Sequence, residues 1–298
     1  MPENRRSLTQ MLAVGIFFAS SAIAQSAGCI AFLKSQSNFA SWPGTGGPLK
    51  QGLNFKPSDY PALTGFSIST DEIRVDVTAF GIIRSVQLTN GSAVVSLTIG
   101  VGTSSVANGH ELFLRADATD RDQNYFRAYV RGDPSIDIGD LNFASPDAVP
   151  GAVGAFIAFL RSNVFCIIAD NPGVPSGINL ATLATQLDNA ILGLPDLSAP
   201  DFESKRPIIV SFSPATTVLS ASAGDSTTAT ISLSDPTGNS GPLTRQFDDG
   251  GNLDVTDTGG LTVTIAATST TGSVPLTLVA VNAFLQFASN TQTFTITP

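Results

Sequence analysis

The last third of the chain, Pro207 to Pro298, consists of short runs that alternate apolar and polar residues between turn signals. Of these 92 residues, 30 are Ser or Thr, and only Arg245 is basic. Alternation with a period of two is typical of half-buried strands, and about seven such strands over roughly 90 residues predict an antiparallel β-sandwich. We expect strands at Ile208–Phe212, Thr228–Leu233, Leu243–Phe247, Leu253–Val255, Gly260–Ala266, Val274–Val281 and Thr291–Thr297.

This segment resembles the bacterial immunoglobulin-like (Ig-like) and cadherin-like repeats of exported proteins. The resemblance rests on the Ser/Thr-rich strands, on the acidic turn Asp248-Asp249-Gly250-Gly251, and on the ending Thr293-Phe294-Thr295-Ile296-Thr297-Pro298. It implies an Ig-like sandwich that acts as a spacer or as a binding module.

The preceding part, residues 25–194, has a different pattern that predicts an α+β domain: an antiparallel β-meander followed by two helices. Asn90-Gly91 is a strong hairpin signal between the predicted strands Ile83–Leu88 and Ala93–Val101. A second predicted hairpin joins Glu111–Ala116 to Tyr125–Val130. The predicted helices are the apolar run Pro150–Ile168 and a segment capped by Asn179, in which Leu180, Leu183, Leu187, Ile191 and Leu194 share one helical face. Residues 195–206, rich in proline, predict an extended linker to the sandwich at 207–298.

The first 24 residues have the three parts of a cleavable signal peptide. Arg5 and Arg6 precede the apolar run Met11–Ala24, which ends in the small-x-small site Ala22-Ile23-Ala24. The sequence therefore predicts export to the periplasm, the cell surface or the medium. No later stretch has the length and apolar character of a membrane span.

Two cysteines, Cys29 and Cys166, follow the signal segment. In an oxidising compartment an even number of cysteines predicts a disulfide between them. The alternative is lipidation of Cys29, since Ser26-Ala27-Gly28-Cys29 ends like a lipobox.

The net charge of the chain limits the classes of partner that it can bind. Without the signal segment the chain has 13 Lys and Arg against 23 Asp and Glu, because Arg5, Arg6 and Glu3 are removed. An acidic chain repels phosphate backbones, which argues against nucleic acid as a partner. His110 is the sole histidine, so multi-histidine metal sites are excluded.

Calcium is the only cofactor that the sequence suggests. Asp120, Asp122 and Asn124 copy the spacing at the start of a calcium loop, and Asp117 lies nearby. A second acidic cluster contains Asp248, Asp249, Asp254 and Asp257. The alternative interpretation of both clusters is a solvated turn.

The first domain also resembles the N-terminal part of ribosome-inactivating N-glycosidases. The matching segments are Val86-Gln87-Leu88-Thr89-Asn90 with Val94–Val101, Leu141-Asn142-Phe143, and Leu187-Asp188-Asn189-Ala190-Ile191-Leu192-Gly193-Leu194. The catalytic residues of that family do not carry over. Its first active-site Tyr falls near Leu112 or Phe113. After the predicted signal segment, the sole Glu-x-x-Arg is Glu203 to Arg206, in the predicted linker.

We therefore expect an exported, non-catalytic binding, adhesion or envelope-surface protein whose partner is a protein or a carbohydrate surface. The alternative is a secreted enzyme or toxin with an N-glycosidase-like first domain and an Ig-like targeting domain. For that alternative the candidate catalytic residues, placed by the sequence on facing strands of one hairpin, are Tyr125, Tyr129, Glu111 and Arg115.

Overall fold

The computed structural model describes residues 31, 34–35, 39–44, 46–76, 81–124, 138–144, 156–170, 176–238, 243–248 and 250–298. The described chain is mostly β, with three sheets and few helices. The predicted signal segment 1–24 and Cys29 lie outside these residues, so the cleavage and the lipidation stay predictions. None of the described helices has the length and apolar character needed to span a bilayer.

The first sheet has six antiparallel strands in the order β1-β2-β3-β6-β5-β4. Asn90 and Ala93 pair at the end of the hairpin between β2 and β3, and Gly91 between them has a φ of 62°, which confirms the predicted Asn-Gly turn. The strands are β1 (Ser67–Asp76), β2 (Gly81–Asn90), β3 (Ala93–Gly102), β4 (Leu141–Ala144), β5 (Phe156–Arg161) and β6 (Val164–Asp170).

Helices bury both faces of this sheet. Along β5, Ile157 and Phe159 belong to a core that also holds Leu183 and Leu187 of helix α2, which runs Leu180–Leu192. The alternate residues of β5, Ala158 and Leu160, belong to a second core on the opposite face. There they share the core with Leu112 and Phe113 of helix α1, which runs Val106–Asn124.

The helix capped by Asn179 is confirmed. The Asn179 side chain accepts a hydrogen bond from the Thr182 amide at 3.0 Å, and four of the five residues of the predicted apolar face are buried. The fifth, Leu194, lies beyond the end of the helix and is half-buried. The helix predicted at Pro150–Ile168 is wrong over its described part, which forms strands β5 and β6. The turn between them is Ser162-Asn163, where Ser162 has a φ of 55°. An unbroken apolar run fits a strand that is buried on both faces as well as it fits a helix.

The hairpin predicted at Glu111–Ala116 is also wrong, because that segment lies inside helix α1. The hydroxyl of Ser105 accepts a hydrogen bond from the Asn108 amide at 3.1 Å, as a helix N-cap does. Its expected partner strand, Tyr125–Val130, lies outside the described residues.

The segment predicted as an extended linker contains a third helix, α3 (Ala199–Ser204). Ser198 caps it, accepting from the Asp201 amide at 3.2 Å, and Phe202 is completely buried in the core of the first sheet. Residues 195–206 are therefore packed in part and not extended throughout.

Two four-stranded sheets follow and enclose one core, so the C-terminal part is a β-sandwich. Their orders are β11-β12-β9-β7 and β10-β13-β14-β8, with only the β14–β8 pair parallel. All seven predicted strands are present, and β8 is an eighth that the sequence pattern did not indicate. The strands are β7 (Ile208–Pro214), β8 (Val218–Ser220), β9 (Ser226–Ser234), β10 (Thr244–Asp248), β11 (Leu253–Asp257), β12 (Thr262–Ala267), β13 (Gly272–Val281) and β14 (Phe287–Thr297).

The sandwich packs directly against the first part of the chain. Val279, Val281 and Leu285 belong to the same hydrophobic core as α2 and the first sheet. The completely buried Gln286 side chain donates to the Phe202 carbonyl oxygen at 2.9 Å and accepts from Gln51 at 3.3 Å. The two parts are thus joined by an apolar and hydrogen-bonded junction.

Candidate functional site

Of the four candidate catalytic residues, the structure describes Glu111 and Arg115, and it brings these two into contact. Glu111 and Arg115 are one helical turn apart on α1, where their side chains form an ion pair at 3.2 Å. Lys34 binds the other carboxylate oxygen of Glu111 at 2.6 Å. Tyr125 and Tyr129 lie outside the described residues. The Glu111 carboxylate is therefore engaged by two cations, as in a surface ion-pair cluster.

The predicted calcium ligands Asp117, Asp120, Asp122 and Asn124 fall in the second half of α1, and not in a hairpin turn. Calcium binding by these residues stays a prediction, without the loop on which its spacing argument was based. In the second acidic cluster, Asp257 pairs with Arg245 at 2.5 Å and Asp248 accepts from the Gly250 amide at 3.1 Å. Asp249 lies outside the described residues. Within the described parts, no three His, Cys, Asp or Glu side chains are grouped so that they could hold a metal ion.

Cys166 lies in β6, completely buried, and burial raises the pKa of its thiol. It is a free thiol in this structure, and no disulfide is seen in the described part of the chain. Because its expected partner Cys29 lies outside that part, the disulfide stays a prediction.

His110 is enclosed by aromatic rings. Its imidazole lies 5.6 Å from the ring of Trp42 and 6.3 Å from that of Phe39, both in edge-on geometry, and only 2 % of the residue is exposed. Burial lowers the pKa of His110, an effect that the charge of Asp140 partly opposes. These contacts place His110 in a core, where the neutral imidazole is favoured.

The outer surface of the β11-β12-β9-β7 sheet is lined by hydroxyl groups. Exposed threonines alternate with core residues on β9 and β12, where Thr230 pairs with Thr262 and Thr228 with Thr264. None of the side chains below makes a hydrogen bond to another described residue. We call this surface the hydroxyl face; its members are Ser213, Thr228, Thr230, Thr256, Thr262 and Thr264.

The spacing of the hydroxyl face is set by the sheet. Neighbouring strands lie about 4.8 Å apart and alternate residues of one strand about 6.7 Å apart, so the hydroxyls form a regular array. The array has no basic or aromatic side chain, and Asp254 is the exposed acid beside it on β11. The alternation in the sequence predicts that the threonines of one strand share a face. The array itself forms only because strands that are distant in sequence pair with one another.

A groove of about 420 Å³ opens at the junction between the two parts of the chain. Its walls come from the segment before β1, from α2 and from the turn between β13 and β14. Sequence reasoning missed this groove, because its three walls are separated by 90 residues or more along the chain. We call it the junction groove; its lining residues are Leu53, Asn54, Asp59, Tyr60, Gln186, Asn189, Ala190, Leu194 and Phe284.

A second hollow, of about 460 Å³, is lined in part by Gly46, Gly47, Ser105 and Asp196. The Asp196 carboxylate binds Lys50 at 2.7 Å, and the Lys50 ammonium also donates to the Leu194 carbonyl oxygen at 2.6 Å. The charges at this hollow are therefore satisfied within the chain.

Comparison with known proteins gives no family. No protein-family model matches the chain. No curated protein matches it either. Among solved structures, the chain is similar to the N-terminal Ig1-2 module of the Drosophila receptor protein tyrosine phosphatase DLAR, with 15 % identity and a TM-score of 0.24 over 30 % of this chain and 48 % of that one.

It is also similar to a nucleoside hydrolase-related hypothetical protein from Saccharophagus degradans that is associated with carbohydrate metabolism, with 17 % identity and a TM-score of 0.24. That match covers 43 % of this chain and 34 % of the other. The chain thus spans less than half the length of either structure, and at these TM-scores neither likeness carries an argument about function. Neither is described as a ribosome-inactivating protein, so that resemblance stays a prediction.

Proposed function

We propose that this is an exported, non-catalytic binding protein that attaches to a carbohydrate surface through the hydroxyl face of an Ig-like sandwich. The observation that carries the proposal is the array of six hydroxyl side chains that have no hydrogen-bond partner within the described chain. Each hydroxyl can both donate and accept a hydrogen bond, which matches the hydroxyl groups of an uncharged polysaccharide.

The strand order supports the Ig-like assignment. In immunoglobulin constant-type domains, one sheet has the order A-B-E-D and the other the order C-F-G. The same order results here when β7, β9, β12 and β11 are taken as A, B, E and D, and β10, β13 and β14 as C, F and G. Strand β8 then extends the second sheet beside G.

The chemistry of the hydroxyl face favours carbohydrate over protein as the partner. Residues that dominate binding between proteins are enriched in Trp, Tyr and Arg, whereas Ser and Thr are under-represented among them. The face has none of the three favoured types. Its lack of cations also disfavours phosphate-rich or anionic surfaces.

Co-sedimentation of the full chain with insoluble polysaccharides tests this proposal. Cellulose, chitin and peptidoglycan would be compared with beads that carry immobilised protein. We expect retention by at least one polysaccharide, and a loss of about tenfold or more in affinity for the double variant Thr230→Lys/Thr264→Lys, since two lysines displace the array. The matched control is Thr293→Lys/Thr295→Lys, on exposed positions of β14 in the other sheet.

Three results would overturn the proposal. Retention by the protein beads alone would assign the face to a protein partner, and equal retention of both double variants would remove the face from binding. Release of adenine from ribosomes by the full chain, abolished by Glu111→Gln, would favour the enzyme alternative. Export is tested separately, by N-terminal sequencing of the extracellular fraction for cleavage after Ala24.

A further inference from the structure

The junction groove is large enough to admit a small molecule. Its volume, about 420 Å³, lies within the range of roughly 300–1,000 Å³ that is usual for such sites. The groove shares no residue with the hydroxyl face, so an inference about its ligand stands apart from the function proposed above.

The apolar part of the groove is held rigidly. Tyr60 is 6 % exposed, and its ring stacks on that of Phe55 at 5.2 Å. On the opposite wall, the Phe284 carbonyl oxygen accepts from the Gly52 amide at 2.9 Å, and its amide donates to Asn282 at 3.1 Å. The ring of Tyr60 and the backbone of Phe284 are therefore fixed before a ligand enters.

Three amide side chains offer hydrogen bonds around this apolar part. The side chains of Asn54 and Asn189 make no hydrogen bond to any described residue. Gln186 accepts from the Ala62 amide at 3.2 Å, which fixes its orientation and leaves its NH₂ group available to donate. The lining thus presents free donors and acceptors beside aromatic carbon.

The charge of the groove selects against ions. Asp59 is its single carboxylate, and no Lys, Arg or His occurs among the described residues that line it. An anionic ligand would meet Asp59 without a compensating cation. One exposed carboxylate is also a weak partner for a cation, since isolated surface ion pairs contribute little.

We propose that the junction groove binds a single neutral sugar unit. The exposed edge of Tyr60 and the side chain of Phe284 contact the C–H surface of the sugar. The amides of Asn54, Gln186 and Asn189 exchange hydrogen bonds with its hydroxyls. Asp59 accepts from a further hydroxyl.

The test is isothermal titration calorimetry, with saturation-transfer NMR, on the full chain. The probes are glucose, galactose, mannose, N-acetylglucosamine and cellobiose, with glucuronate as the charged counterpart of glucose. We expect at least one neutral sugar to bind. If that sugar is glucose, glucuronate binds about fivefold more weakly because of repulsion from Asp59. Asp59→Asn is expected to remove that discrimination, and the control Asp254→Asn, on an exposed acid of β11, to keep it.

Amide variants give a second readout. Asn54→Ala and Asn189→Ala are each expected to weaken sugar binding about tenfold, as the loss of one or two hydrogen bonds does. The matched control is Thr182→Ala, an exposed position on the same helix as Asn189 but outside the groove. Thermal unfolding followed by circular dichroism identifies any variant that is not folded. If an amide variant is not folded, the Asp59→Asn comparison is used instead of it.

The proposal is overturned if none of the five neutral sugars binds, or if the double variant Asn54→Ala/Asn189→Ala binds as tightly as the unaltered chain. Binding of an unstructured peptide at the groove in place of every sugar would also overturn it. The polysaccharide assay tests the hydroxyl face, whereas the sugar titration tests the junction groove. If one of these two binding activities is present and the other is absent, the result shows which of the two proposals has failed.

Discussion

Arg161, the last residue of β5, holds Asp188 of α2 with two parallel hydrogen bonds, Nε to Oδ1 at 2.9 Å and Nη2 to Oδ2 at 2.7 Å. Asp188 is 3 % exposed and also accepts from the Gly139 amide at 2.9 Å. The hydrogen bonds of the Arg161 guanidinium to Asp188, together with the nearby charges of Asp188 and Asp140, raise the pKa of Arg161. The pair fixes α2 on the first sheet, and therefore one wall of the junction groove.

Replacing Asp188 by Asn is expected to lower the free energy of unfolding by about 2 kcal/mol, because the half-buried Arg161 guanidinium loses the more buried of its two carboxylate partners and keeps only Asp140, at 2.8 Å. Urea denaturation at neutral pH measures the change. The control Asp254→Asn, on an exposed acid, should fall within about 0.5 kcal/mol of the unaltered chain. An equal effect of the two substitutions would show that the Arg161–Asp188 pair has no special role.

His110 is expected to make stability depend on pH. Burial lowers its folded-state pKa below 6.5, so the unfolded chain binds the proton first as the pH falls. Its contribution is complete above about pH 6.5 and declines as the pH falls toward and through the lowered pKa of the folded state.

Urea denaturation at pH 7.5 and pH 5.5 would measure that decline. Since His110 is the sole histidine, the variant His110→Phe should lose most of the difference in this interval. A difference that is unchanged in the variant would contradict the prediction.

Gly109 is expected to tolerate no side chain. A Cβ atom there would lie 2.6 Å from the backbone of Asn163 in the β5–β6 turn, where α1 approaches the sheet most closely. Gly109→Ala should therefore destabilise the fold by about 3 kcal/mol, at the upper end of the usual cost of overpacking. Gly260→Ala is the control, because its Cβ would meet nothing within 4 Å. Thermal unfolding of the two variants checks the contrast.

Gln286 is expected to couple the two parts of the chain. Gln286→Leu leaves the Phe202 carbonyl oxygen and the Gln51 amide group without a partner, at a cost of about 2 kcal/mol. With a shared core at the junction, the unaltered chain should unfold in one calorimetric transition, whereas the variant should show a broadened or split one. Two separate transitions in the unaltered chain would show that the parts are energetically independent.

The sequence by itself determined the elements whose pattern is local. Alternation with a period of two located the strands of the sandwich, Asn90-Gly91 located a hairpin, and Asn179 located the start of α2. Each of these signals depends on residues within a few positions of one another, so neighbouring chain segments were not needed to interpret it.

The tertiary structure decided the segments whose pattern is ambiguous. The apolar run of β5 and β6 fits a helix or a doubly buried strand, and the pairing of β6 with β3 made it a strand. Glu111–Ala116 contains a short apolar run that fits a strand or a helix, yet the residues at helical spacing, Val106, Gly109, His110 and Phe113, are all buried. That spacing, together with Ser105 as a cap, is a signal in the sequence that would have predicted α1.

Both candidate binding surfaces depend on contacts between distant segments. The hydroxyl face requires β9 and β12 to pair, and the junction groove requires Asn54, Asn189 and Phe284 to meet. Local sequence fixes which side chains are polar and which strands alternate. Which of them become neighbours is decided by the burial of apolar surface over the whole chain, and that free energy is not contained in any one segment.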